Sequence, residues 1–357
     1  MITVVDGDAP GLLDRIAEVR AAGRAVLVAD PRWSAAQRHD VEALIREDEV
    51  PADAAWATLT SGSRGAPRVV LRTAASWSSS FATVAALLDA GSDDSIALPA
   101  PPAASLTLFS FAHALAGGPR PVLGADVDAT CVHATPQGLR ALLDAGGAPR
   151  RALVGGSHLD PALRARAAVA GVEVVSYYGA AELSFVAIDS GEGLRAFPGV
   201  ELDVRGGEVW VRSPFVALGY LGAGGPLERA GGWATVGDRA EVRDGGLHLR
   251  GRRDGAILSA SATVVPDEVE ATLRGIPGVR DAVVFGMPRP GVGALIAAFV
   301  EVEGTGPDDL RREAAARLVP AHRPRRWFFG TIPRTLSGKP ARADVERIAA
   351  GTGRDRG

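Results

Sequence analysis

The sequence predicts an α/β protein: a large N-terminal domain of mainly parallel sheets with helices, bearing a small antiparallel β subdomain, and a small α+β C-terminal domain. Three observations predict it. Upstream of Leu183, short apolar segments alternate with helical patterns, as when strands reach parallel neighbours through covering helices. After Leu183 the apolar segments shorten and are separated by Gly and Asp turns, which favours antiparallel pairing. At Arg252-Arg253-Asp254-Gly255 a charged junction opens a second run of strands and helices. The expected division is 1–252 and 253–357, with the β subdomain at 184–250.

Taken in order, a strand at 25–29 is followed by a helix over 34–47. A strand at 55–59 leads into a glycine-bearing loop, a strand at 69–71 and a helix over 75–88. Further apolar strands fall at 96–98, 121–123, 152–154 and 172–175, with helices at 136–143 and 161–170 between them. The strands expected at 200–204, 208–211, 240–242 and 247–249 suggest a small antiparallel sheet or barrel. The last unit reads strand, helix 266–273, strands 281–285 and 295–302, helix 308–318, strand 327–331 and a final helix near 341–350.

Composition narrows the function. The chain has 357 residues, 46% of them hydrophobic, and a formal net charge of −3. That is enough apolar matter for a substantial core, and the charge argues against a nucleic-acid partner. Cys131 is the single cysteine, which excludes an intramolecular disulfide or a cysteine metal cluster. The N-terminus has no basic segment followed by an apolar one. No apolar run approaches the ~20 residues that span a bilayer. A cytoplasmic location without a membrane span is expected. His133, His158 and His322 lack metal-ligand spacing and are read as structural or solvated.

Lys339 is the single lysine beside 38 arginines. A lysine is a compact ammonium on a flexible stem, whereas arginine is a planar fork. Its place in Pro333-Arg334-Thr335-Leu336-Ser337-Gly338-Lys339 suggests a task that arginine cannot perform; taken alone it is equally a leftover surface lysine. Four further segments carry chemistry. Thr60-Ser61-Gly62-Ser63-Arg64-Gly65-Ala66-Pro67-Arg68 follows a strand, and its small, hydroxylated residues suit phosphate oxygens; it is equally an ordinary hairpin. Glu182, after Tyr177-Tyr178-Gly179-Ala180-Ala181, stands near a strand end where α/β sheets bind ligands, or in a solvated turn. Asp238, after Gly231-Gly232-Trp233-Ala234-Thr235-Val236-Gly237, suits a ribose diol, or a plain Gly-Asp turn. Arg252 and Asp254 could touch a nucleotide and form a pivot, or belong to a charged linker.

Together, in this order, the five segments resemble the AMP-forming acyl-CoA synthetase and adenylation superfamily over about residues 25–345. The match from Gly251 to Glu270 keeps its spacing without a gap. The compact plan, and the run Leu153-Val154-Gly155-Gly156-Ser157-His158-Leu159-Asp160, are most similar to short actinobacterial o-succinylbenzoate–CoA ligases. The resemblance implies a carboxylic acid activated by ATP and Mg²⁺ to an acyl-adenylate, then passed to the thiol of coenzyme A or of a carrier-protein phosphopantetheine. It implies that Thr60, Ser61, Gly62, Ser63, Arg64, Gly65 and Arg68 hold phosphates, and that Glu182 binds Mg²⁺. Gly155, Gly156, Ser157, Ser176, Tyr177, Tyr178 and Gly179 would flank adenine. Asp238 and Arg252 would hold the nucleotide, with Lys339 bridging the acid and the α-phosphate. Asp254 would be the hinge of a mobile C-terminal lid, and Ser105, Leu106, Phe109 and Ala180 would border the acid. A homodimer is carried over from the family. Arg64, Arg68, Ala181, Val236, Gly255, Leu258 and Ser261 depart from the family pattern, and Ser261 bears on the thiol step most directly. A degenerate adenylate-binding protein is the alternative those departures support.

Overall fold

A computed structural model of the chain describes all residues except 34, 62–66, 158, 223, 253–256, 260–261, 265, 290–292, 319–321, 336–337 and 353–357. Four sheets organise it. In the first, Ile2–Asp6, Ala25–Ala29 and Ala54–Ser61 run parallel, and Pro67–Thr73 and Gly219–Leu221 then add antiparallel. The second has seven strands in the order Arg195–Ala196, Ser184–Asp189, Glu173–Ala180, Arg151–Val154, Cys131–Ala134, Ser95–Leu98 and Arg120–Leu123. From Glu173–Ala180 onward its pairings are parallel. The third sheet is antiparallel and is built from strands between Glu201 and Arg252. The fourth belongs to the small C-terminal domain: Val279–Arg289 and Gly293–Val302 pair antiparallel, and Arg326–Phe329 lies parallel to the latter.

Burial explains the strand composition. Ala25–Ala29 and Cys131–Ala134 are buried at every position; the first reads as a near-continuous apolar run, whereas His133 interrupts the second. Two helices start where side chains can satisfy the first amides. Thr135 accepts from the Gly138 N–H at 3.2 Å ahead of Pro136–Asp144. Asp160 accepts from the Ala162 N–H at 2.9 Å ahead of Pro161–Val169. An aromatic core of Trp77, Phe109, Phe185, Phe197 and Phe215 lies in the largest apolar cluster.

Several elements differ from the sequence reading. The expected helix 75–88 is two helices, Ala75–Ser78 and Phe81–Leu88. Ser79 Oγ donates to the Ala75 carbonyl and Ser80 Oγ to that of Trp77, and such back-bonding competes with the helical ladder. The strand expected at 172–175 runs to Ala180 and reverses into Ser184–Asp189. Helix Ser105–Leu115 is buried from Thr107 through His113, so it shows no polar stripe to betray its period. Ile2–Asp6 and helix Leu12–Ala21 add a strand and helix before the first expected element.

Gly179 sits on the reversal. A Cβ there would overlap the Ser184 carbonyl across the turn. Gly179→Ala is expected to cost about 1–3 kcal/mol, as overpacking does. Urea unfolding should show a lower midpoint with an unchanged slope; an unmoved midpoint contradicts the assignment.

Candidate active site

The residues expected to hold phosphates begin on paired antiparallel strands. Thr60 pairs with Arg68, and Ser61 with Pro67, across the strands Ala54–Ser61 and Pro67–Thr73. Gly62, Ser63, Arg64 and Gly65 lie outside the described residues. The neighbouring strand Gly219–Leu221 sets Tyr220 opposite Val70. Tyr220 donates its hydroxyl to Glu182 Oε1 at 2.7 Å and accepts from the Leu227 N–H at 3.2 Å. Burial, then the Glu182 carboxylate, pushes the Tyr220 phenol up, and the positive charge of Arg68 pulls the other way. Glu182, Tyr220 and the base of the hairpin therefore share one electrostatic neighbourhood.

The turn bearing Glu182 is fastened from behind. Arg72, on strand Pro67–Thr73, is fully buried. Its Nε and Nη2 donate to the Ala181 carbonyl at 3.0 and 2.6 Å, and Nη1 donates to the Phe215 carbonyl at 2.6 Å. Burial lowers the guanidinium to about 9, and nearby Glu182 opposes that shift. The Ala217 N–H closes the turn on the Glu182 carbonyl at 2.7 Å.

The residues expected to hold the nucleotide converge from separate sheets. Tyr178 donates to Asp238 Oδ2 at 2.7 Å. Asp238 is the cross-strand partner of Arg252, so two expected nucleotide residues share one rung. Ser176 accepts from Arg164 at 2.8 Å, and Arg164 is paired with Asp189. Gly155 lies against the Tyr177 ring, where any Cβ would overlap it. Ser157 is exposed. From the C-terminal domain, Lys339 reaches over Gly156: a Cβ on that glycine would lie 3.5 Å from Lys339 Cε and 3.6 Å from Thr135 Cγ2. Asp254 lies outside the described residues.

The expected acid-binding residues are not alike in exposure. Ser105, Leu106 and Ala180 are half-buried. Phe109 is 3% exposed and packs edge-on against Trp77, Phe81, Phe185 and His133. His133 links Ser110 Oγ to the Tyr177 hydroxyl at 2.9 Å on each ring nitrogen. Since Ser110 also donates to the Leu106 carbonyl, one proton order satisfies all three groups. Tyr177 donates to Nε2, and Nδ1–H donates to Ser110. His133 is therefore a structural histidine, as its spacing implied.

The family model described as AMP-binding enzyme matches residues 3–221, and that of the AMP-binding enzyme C-terminal domain matches residues 268–339. The chain belongs to the AMP-binding enzyme family. It is 27% identical over 326 residues to a Bacillus subtilis protein named uncharacterized acyl–CoA ligase YhfT, covering 81% of this chain and 67% of that one. A Mycobacterium tuberculosis probable 2-succinylbenzoate–CoA ligase is 34% identical over 209 residues, covering 56% and 54%. The medium/long-chain-fatty-acid–[acyl-carrier-protein] ligase FadD10 of M. tuberculosis is 31% identical over 197 residues, covering 46% and 36%. The matches thus span between 36% and 67% of these relatives' lengths. A solved Escherichia coli MenE variant with bound OSB-AMS superposes over 98% of this chain and 87% of its own, with a TM-score of 0.82 at 21% identity. That last likeness is one of fold.

Two site residues of this AMP-binding enzyme were not legible in advance. Tyr220 had a usable signal. The chain has only three tyrosines, and all three hydroxyls bond at the site, to His133, Asp238 and Glu182. Arg72 had none, being one of 38 arginines until folding buries it. Among the described residues, no group of three or more His, Cys, Asp or Glu side chains could hold a metal.

Burial, with a smaller push from His113, holds the His133 imidazole down to about 3. An unfolded histidine titrates near 6.5. Between those values the unfolded chain takes up a proton that the folded chain refuses, so this stabilisation is complete above about 6.5 and fades as pH falls. His133→Gln should flatten the fall in Tm between about pH 6.5 and 4.5. Matching slopes in thermal scans of the two proteins would contradict this.

Proposed function

We propose that this chain is an ATP-dependent acid–thiol ligase that forms an acyl-adenylate and then an acyl thioester of coenzyme A. The observation that carries the reading is the single lysine, brought over Gly156, in a chain whose segment 177–182 meets Asp238 through Tyr178. An aryl or acyl carboxylic acid such as o-succinylbenzoate is the proposed substrate. The likeness to a 2-succinylbenzoate–CoA ligase supports it.

In the proposed first step, an acid oxygen attacks the α-phosphorus of ATP and pyrophosphate leaves. The Lys339 ammonium draws the anionic acid and the α-phosphate together and offsets charge growing on the phosphorus. Arg68 and the hairpin amides hold the outgoing phosphates. Asp238 accepts from the ribose hydroxyls, oriented by Tyr178, and Arg252 lies beside it. Magnesium typically takes one or two carboxylates plus phosphate oxygens and water. A single glutamate, oriented by Tyr220 beside the hairpin, fits that donor set. The ion would supply charge neutralisation on the phosphates. In the second step a thiol sulfur attacks the acyl carbon and AMP leaves, its proton going to solvent. The kinship with a carrier-protein ligase favours a second reading in which the thiol is a carrier's phosphopantetheine.

Acid-dependent pyrophosphate release, followed over a panel of aryl and acyl acids with and without coenzyme A, tests the proposal. Release coupled to thioester formation supports the ligase. Release without turnover of coenzyme A supports the carrier-protein reading. ATP binding with no release for any acid refutes both. Lys339→Ala is expected to slow release by about 10²–10³-fold, and full activity in that variant would remove the lysine from the mechanism.

A further inference from the structure

The turn that carries Lys339 is pinned at both ends. Arg334 and Pro340 form an isolated antiparallel bridge. Inside it, the Thr335 N–H donates to the Lys339 carbonyl at 2.7 Å and the Gly338 N–H to the Thr335 carbonyl at 2.9 Å. Just outside it, the Ala341 N–H donates to the Pro333 carbonyl at 2.8 Å.

Side-chain charge fixes the base. Arg334 binds Asp281 Oδ2 at 2.9 Å. The other oxygen of Asp281 binds Arg274 Nε at 2.9 Å. Arg274 binds Glu270 Oε2 at 2.8 Å, and Glu270 Oε1 lies 2.7 Å from Arg342. The result is a continuous ladder, Arg334–Asp281–Arg274–Glu270–Arg342, whose two ends flank the lysine. Its centre is dry: the Glu270 and Asp281 side chains are 3% and 11% exposed. The backbone of the central strand joins in, the Ala282 N–H bonding Asp281 and the Val284 N–H bonding Glu270, both at 2.8 Å. Charges so placed are screened little by salt, and a fully bonded network holds geometry better than its separate pairs.

Resting on the ligase reading above, we infer that Arg334, Asp281, Arg274, Glu270 and Arg342 are positioning residues that set the direction in which Lys339 leaves the C-terminal domain. They touch neither substrate, and their effect passes through the lysine turn. The surrounding fold has its own support, since the apolar clusters of this domain lie on both faces of its sheet.

Because Lys339 is the only lysine, amine acylation with peptide mapping reads its surroundings with no substrate acid present. The variants are Arg334→Met, and Arg342→Met combined with Glu270→Gln so that no buried carboxylate is left uncompensated. MgATP should slow acylation of Lys339 in the wild-type chain and should lose that protection in both variants. Pyrophosphate release at saturating ATP should fall by about 10-fold or more with KM for ATP nearly unchanged. Thioester formation from supplied acyl-adenylate should persist. Undiminished protection in a folded variant, or no protection in the wild type, overturns the inference. So does an equal fall in both half-reactions, which marks a merely structural role. Absence of acid-dependent release in the wild type sinks the ligase reading instead, and the acylation arm still decides the positioning role.

Discussion

At the guanidinium of Arg72 three parts of the chain meet. The residue belongs to the first sheet, yet it bonds the carbonyl of Ala181 at the end of a second-sheet strand and that of Phe215 on the segment leaving the third. A buried cation is costly unless its donors are used. Here they are spent on main-chain oxygens, and the nearby Glu182 carboxylate supplies a countercharge. The same bonds therefore pay the cost of burial and fasten the turn that presents Glu182. Without that fastening, a carboxylate in the short reversal between Ala180 and Ser184 would have nothing rigid behind it.

The cleft is assembled by short polar links rather than by one element. Tyr178 reaches from the second sheet to Asp238 on the third. Tyr220 reaches from the first sheet to Glu182. Tyr177 points inward, to a histidine that burial keeps neutral. A phenol suits such links because it carries a rigid apolar body and one polar tip. In a chain with so few aromatic residues, spending every tyrosine this way concentrates order where the nucleotide is proposed to bind.

The C-terminal domain adds the complementary charge. Its lysine turn is stiffened by a ladder of alternating arginines and carboxylates, while Arg250 bridges Glu241 of the third sheet and Glu268 of helix Pro266–Arg274. A reacting ammonium gains most when its direction is set before substrate arrives, since reorganisation is then avoided in the transition state. The placement of Lys339 over Gly156 suits the adenylation step proposed for it.

Much of this was legible in one dimension. Alternating apolar and helical segments, the change of texture after Leu183 and the ordered polar segments pointed to the fold class and the family, because periodicity and turn chemistry are local properties. The rarity of lysine singled out Lys339 without any structure. What remained hidden was whatever depends on burial. The strand Cys131–Ala134 was obscured by His133, a polar residue that only its two partners make tolerable inside. Helix Ser105–Leu115 lost its period because it is covered on all sides. Arg72 cannot be told from 37 other arginines until packing removes water from it and leaves three carbonyl-directed bonds in exchange. The joining of Asp238 to Tyr178, and of Lys339 to Gly156, likewise belongs to the tertiary structure alone, since residues far apart in sequence meet only once the sheets have stacked.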